Sequence, residues 1–406
     1  MTSAKHSLLD QLIVSGSNFL IIVLAARFLD IGDVAKYAYA FGFYMFVYMV
    51  ANAWVYQNIM AIGRRKLAVE GAFAHFAGLN FILVLISVPI IIVSFQLVIS
   101  GGQLDLPWTD AILVGAFVAT NQMIDFERRS LYFLDHSWFN GPAAVSLTGF
   151  LVRIVAIMII QPSSFIAFMM ILVVFSLPSL LFSAKRLLTA FKADFYSFVL
   201  LQIKNGKWMT LNIPVNWVWG QAPVFIMGSF LGPQAAGVYA AVRSVANLAN
   251  VAMELIPTYF ASRLSRLFSS GKQSVYKKYI MVVVVAGILA WGCVLILIIL
   301  VGDKALSLIL GEEFSSYWFL LYLFWGFNAF VFLSRIQFLH FRFVEKTGIV
   351  PVANLVGVIT LSVSYFLWFS NLGVEGMAWA MIAGGGGVVS TQYLLSLSIL
   401  KDKSSQ

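Results

Sequence analysis

The chain has 406 residues, of which 61% are hydrophobic and only 11% charged. Soluble globular chains carry about 25% charged residues, and with 36 Phe no water-soluble fold could hide this much apolar surface. The composition reads as an integral membrane protein and, despite a net charge of +9, excludes a nucleic-acid partner. The single Cys293 excludes a disulfide framework and a Cys-based metal site, and the four His show no metal-ligand spacing. No metal or cofactor is expected.

A helix crosses the hydrocarbon core in about 20 residues. Apolar runs between charged or Gly/Pro breaks predict twelve spans, roughly 11–29, 37–62, 76–99, 109–125, 139–160, 164–183, 208–230, 235–260, 278–301, 314–339, 349–370 and 375–400. The runs are continuously apolar rather than alternating, which excludes membrane strands. Span one places Gln11, Ser15 and Asn18 on one helical face. The inner end of span four carries Asn121 and Asp125 one turn apart, with Arg128 and Arg129 following. That group reads as a cytoplasmic salt-bridge cluster, with an ion-coupling role for Asp125 as the alternative. Arg153 lies near the middle of span five with no partner on its own helix.

Span seven carries Asn212, Asn216 and Gln221 among Pro214 and Pro223, so a kink is expected there. Span eight is the most polar. Arg243, Asn247, Asn250 and Glu254 are spaced 4, 3 and 4, which confines them to a stripe about 60° wide. Such side chains lack partners in lipid and must face the protein interior or a wet cavity. They either line that cavity or form a structural network with other helices. Two guanidiniums, Arg243 and Arg153, would suit a phosphate group. Glu254 is a candidate for proton or sodium coupling. Gly384 to Gly387 in the last span reads as close helix packing.

Of the 26 Lys and Arg, 21 fall in the even-side loops and tails and three on the opposite side. The positive-inside rule then places both termini in the cytoplasm. A shift of 202 residues aligns Phe28-Leu29 with Phe230-Leu231, and Tyr37-Ala38 with Tyr239-Ala240. Spans one to six fall on spans seven to twelve, which implies parallel repeats. The expected architecture is an all-α integral membrane protein with twelve transmembrane helices in two six-helix lobes. Residues 1–183 form the first lobe, 184–207 a basic cytoplasmic linker and 208–406 the second. Substrate sites in such folds lie between the halves near mid-membrane.

The opening Asp10-Gln-Leu-Ile-Val-Ser15-Gly16-Ser17-Asn18-Phe19, with Ala26-Arg27-Phe28-Leu29, resembles a known family, as does Gly237-Val-Tyr239-Ala-Ala-Val-Arg243 running on to Pro257 and Arg263. The chain resembles the polysaccharide or O-antigen flippase branch of the multidrug/oligosaccharidyl-lipid/polysaccharide (MOP) exporter superfamily. The resemblance implies transport of polyprenyl-pyrophosphate-linked oligosaccharide across the bacterial inner membrane by alternating access, for surface polysaccharide synthesis, with proton or sodium coupling. It also implies membrane lipids and a polysaccharide polymerase complex as partners. Carried over by position and chemistry, Arg243 and Arg153 are candidates for the phosphates, and Asn247, Asn250, Asn18 and Asn216 for the sugar hydroxyls. Glu254 and Asp125 are the coupling candidates. The alternatives are a drug or organic-cation antiporter of the same superfamily and a membrane polysaccharide polymerase. An enzyme is not expected, because the outside loops around 100–108 and 302–313 offer no catalytic constellation.

Overall fold

The computed structural model describes residues 2–59, 72–101, 108–131, 147–177, 195–248, 264, 267, 273–343, 346 and 348–404. Every regular element among them is helical. The chain divides into two compact units, residues 1–237 and 238–406. Among the described residues six helices are long and apolar enough to cross a membrane: Ile31–Ile59, Ala74–Ile99, Ser274–Leu310, Glu312–Phe341, Ile349–Trp368 and Ser370–Leu397. Five shorter apolar helices accompany them.

In the first unit, α1 (Thr2–Phe28) stops just before Asp30, whose carboxylate caps the next helix by accepting the Asp33 N–H at 2.8 Å. That helix, α2 (Ile31–Ala51), runs on through a π-helical turn, Asn52–Tyr56, to Ile59. α3 (Ala72–Ile99) and α4 (Thr109–Leu131) follow. The C-terminal ends of α2 and α4 and the N-terminal end of α3 share a core of Tyr56, Ile59, Phe76, Leu79 and Phe126. A second π-turn, Leu147–Leu151, leads into α5 (Val152–Ile160). Gln161, at φ 48°, turns the chain into α6 (Phe165–Val174). Asp33 holds the start of α6 by accepting the Phe165 N–H at 2.8 Å.

Span seven is two helices, α7 (Phe195–Gly220) and α8 (Ala222–Leu231). The break at Gln221 has a local cause: Pro223 lacks an N–H and its ring crowds the carbonyl four residues earlier, so it cannot continue α7 and sits instead in the first turn of α8. α7 begins well inside the expected linker 184–207, so residues 195–207 are helical. Residues 184–194 lie outside the described residues. The helix α9 spans 233–248 and carries the division between the units. α8 ends at Leu231 and α1 at Phe28, so the chain turns at corresponding places in the two aligned motifs.

In the second unit, α10 (Gln273–Leu310) is 38 residues long and continues through most of the expected outside loop 302–313. Asp303 and Lys304 do not end it, because the apolar Ala305–Leu310 turn still packs: Leu306 and Leu310 are fully buried. α11 (Trp318–Phe343) packs against α10 through Phe332 and Ile336. α12 (Ile349–Ser364) and α13 (Gly373–Ser404) complete the unit. The Gly384–Gly387 run packs as expected. A Cβ on Gly385 would lie 2.9 Å from Phe330, and one on Gly387 would lie 2.9 Å from the Thr360 hydroxyl. On α10, Ile288, Leu289, Ile296 and Leu300 are exposed, the side chains of a lipid-facing helix.

Candidate functional site

The first unit concentrates its polar groups on one face of α4. Asn121, Gln122, Asp125 and Arg128 are all buried there. Asp125 is 3% exposed, and Arg128 pairs with it at 2.9 Å. The Tyr44 hydroxyl on α2 donates to the other oxygen of the same carboxylate. Arg129 follows a different course: its guanidinium donates to the Tyr48 hydroxyl and lies over the rings of Tyr48 and Tyr56, 5.1 and 4.9 Å from their centroids. Gln122 donates to the Tyr56 hydroxyl and to the Asn80 carbonyl oxygen, both at 2.8 Å. The π-turn at Asn52–Tyr56 adds a residue to that turn of α2 and brings Tyr56 onto this face.

Arg153 joins the same group from α5. Its side chain is fully buried. It donates from Nε to the Ser176 hydroxyl at 2.6 Å and from a terminal nitrogen to the Asn121 side-chain oxygen at 2.8 Å. The Phe150 ring lies 5.3 Å from the guanidinium carbon. Arg153, a cavity candidate by sequence, is thus enclosed within the first unit. The π-turn before it and the hydroxyl beyond α6 enclose the group, and its hydrogen-bond partners are neutral oxygens rather than a carboxylate. A charge held this way needs its donors matched, because none can turn to water.

In the second unit, Tyr239 is fully buried at the start of the polar stripe on α9. Its hydroxyl reaches the Met381 sulfur on α13 at 2.6 Å, and its ring packs edge-on against Phe324 of α11. Arg243, one turn further along, is half-buried and lies 5.6 Å from the Tyr239 ring centroid. The next turn meets Asn328, which donates to the Ala246 carbonyl at 2.9 Å. Asn247 is half-buried beside it. Asn250 and Glu254 lie outside the described residues.

Asn18 is half-buried on α1 and Asn216 is exposed on α7. The structure thus brings Asn121, Asp125 and Arg153 together and gives Arg243 an aromatic neighbour. Sequence reasoning missed Tyr44, Tyr48, Tyr56 and Ser176. The tyrosine spacing on span two was a usable signal. The Ser176 partnership was not, because it depends on a π-turn.

No family model and no curated protein matches the sequence. The fold, however, is similar to several solved transporters. A multidrug resistance MATE family transporter of the MOP superfamily, in its inward-facing conformation, aligns over 99% of this chain and 96% of its own, at 13% identity and a TM-score of 0.66. The eukaryotic MATE transporter AtDTX14 aligns over 98% and 95% at 13% identity and a TM-score of 0.60. A mutant of the Vibrio cholerae MATE transporter VcmN aligns over 100% and 99% at 11% identity, also at 0.60. At such identities the likeness is one of fold: this chain has an all-helical, MATE-like fold.

Proposed function

We propose that this chain is a bacterial inner-membrane transporter that moves its substrate by alternating access. The observation that carries the reading is the full-length likeness to transporters of one fold, with the chain covered from end to end. The solved neighbours are MATE transporters, one of them a multidrug resistance transporter, and this supports export of drugs or organic cations better than the polysaccharide reading. Glu254 and Asp125 are then the coupling candidates, although Asp125 is already engaged by Arg128 and Tyr44.

A second reading has its own support. Arg243 is half-buried at the start of a polar stripe with Asn247, and the carboxylate of Asp125 is matched by a cation. Such an inventory suits an anionic substrate, the head of a polyprenyl-pyrophosphate-linked glycan, better than a cationic one. Arg243 would take the phosphates, and Asn247, Asn250, Asn18 and Asn216 the sugar hydroxyls. Arg153 has no part in that contact because it is enclosed.

Proteoliposomes separate the two. Ethidium efflux driven by a proton or sodium gradient is the assay for the first reading. Protection of a fluorescent lipid-linked sugar from dithionite is the assay for the second. Under the second reading Arg243→Ala abolishes protection while Arg243→Lys retains part of it. If neither probe moves and both variants match the parent chain, the transporter reading fails.

A further inference from the structure

The helix pair α7–α8 is sewn to α2 and its continuation from Tyr39 to Asn58. Just beyond α8, at the start of α9, a Cβ on Gly237 would lie 2.2 Å from the Ile31 carbonyl oxygen, so the backbones of α9 and α2 touch there. Gly228 sits directly beneath the Tyr39 hydroxyl, and Gly42 sits beneath the Phe225 ring. Phe225 is also packed by Tyr39, Phe43 and Trp217, with ring centroids 5.1, 5.2 and 5.3 Å away. The Trp217 indole donates to the Gly42 carbonyl at 2.9 Å. Towards the other end Trp54 donates to the Thr210 hydroxyl at 2.6 Å, and Gly206 lies against the Ala53 carbonyl. Asn58 closes the row by donating to the Gln202 carbonyl at 3.2 Å.

From Tyr39 to Asn58 the seam with α7–α8 is about 29 Å long, close to the thickness of the hydrocarbon core. Trp217 and Phe225 stand on either side of the break at Gln221, so both pieces of the broken span are held. The three donors, from Trp54, Asn58 and Trp217, have no water to turn to inside a membrane. Opening the seam would strand both indole donors, cost Asn58 one of its two bonds (the other goes to the Trp54 carbonyl at 2.9 Å) and part an aromatic cluster.

We propose that α7 and α8 travel with α2 as one body throughout the transport cycle. The moving boundary then lies beyond Gly237 and not at the basic segment 184–207 that separates the two sequence repeats. The first helix of the second repeat is in this way captured by the first half. This inference rests on the alternating-access reading above.

Spin labels in a Cys293→Ser background provide the test, because Cys293 is the only cysteine. One pair (Gln57→Cys with Lys204→Cys) reports the inner part of the seam, and a second (Asp30→Cys with Phe230→Cys) reports the outer part. A third pair, Asp30→Cys with Leu372→Cys, spans the two units. All five positions are exposed. Distances are read in proteoliposomes under inward and outward proton and sodium gradients. The expected result is one unchanged distance distribution for each seam pair while the third pair shifts. A second population in either seam pair overturns the inference. A third pair that stays fixed under every gradient overturns alternating access instead. As an independent check, Tyr39→Cys and Gly228→Cys are joined by a short bifunctional thiol reagent. Transport should survive, and its loss in a folded, cross-linked protein refutes the proposal.

Discussion

Trp291 on α10 and Trp325 on α11 hydrogen-bond each other reciprocally. The Trp291 indole donates to the Trp325 carbonyl at 2.8 Å, and the Trp325 indole donates to the Trp291 carbonyl at 3.0 Å. Each indole N–H thereby finds an acceptor in a region without water. α10 buries little of itself, so this pair is a main tie between it and the rest of the unit. Replacing either Trp with Phe removes one bond and part of a ring, and should cost about 1 kcal/mol or more. The double replacement should cost roughly the sum, since the two bonds are separate. Thermal unfolding in detergent reads all three; a single variant as stable as the parent chain contradicts the assignment.

Arg153 gives a prediction of opposite sense to simple contact counting. Ser176→Ala leaves the enclosed guanidinium short of an acceptor and should cost roughly 1–3 kcal/mol. Arg153→Met removes the charge along with its demand for partners, and such exchanges are often neutral. Ser176→Ala in an Arg153→Met background should therefore cost much less than in the parent chain. The measurement is a double-mutant cycle of thermal stability, and equal costs in both backgrounds refute the coupling.

What the sequence disclosed, and what it hid, follows from the range of the forces involved. Hydrophobic runs and Lys/Arg placement are local signals, and they announced a helical membrane protein. The alignment of Phe28-Leu29 with Phe230-Leu231 located two turns that the structure contains. Span four ended at 125 by sequence, because charged residues follow it, whereas the helix runs to Leu131; the salt bridge expected there forms between Asp125 and Arg128, buried inside the unit. The position of Arg153 was hidden for a related reason. Its partners Asn121 and Ser176 are far away in sequence, and the π-turn that orients it has no signature in the residues. The capture of α7–α8 by α2 depends on where glycines meet rings, a relation that exists only after folding.

Glycine positions sort by what surrounds them. A methyl on Gly237 meets the Ile31 backbone oxygen, which cannot swing aside. Gly237→Ala should therefore force the helices apart and cost about 1–3 kcal/mol. Gly16 has nothing within 4 Å of its ideal Cβ, so Gly16→Ala should stabilise α1 by up to about 1 kcal/mol through helix propensity alone. Gly228→Ala lies between them, because the atom it meets is the Tyr39 hydroxyl at the tip of a side chain. Tyr39→Phe should rescue part of that loss. Melting temperatures of the four variants give the order, and Gly237→Ala at parental stability breaks the argument.

The last test concerns Lys36, which bridges Asp33 on its own helix at 2.9 Å and Asp110 at the start of α4 at 3.3 Å. Asp33 also accepts the Phe165 N–H, and the Lys36 ammonium lies 5.5 Å from the Phe165 ring centroid. One carboxylate thus ties together the starts of α2 and α6, while the lysine adds α4. The lysine is about a third exposed, so the ion pairs are partly screened and worth up to about 1 kcal/mol. The backbone bond at Asp33 is less easily replaced by water. Asp33→Asn keeps an acceptor for Phe165 and should cost less than Asp33→Ala. Lys36→Met should cost least of the three, and its effect should shrink as salt is raised. Stability measured at low and high salt decides this. Equal losses for Asp33→Asn and Asp33→Ala would show that charge, not the bond to Phe165, makes the contribution of Asp33.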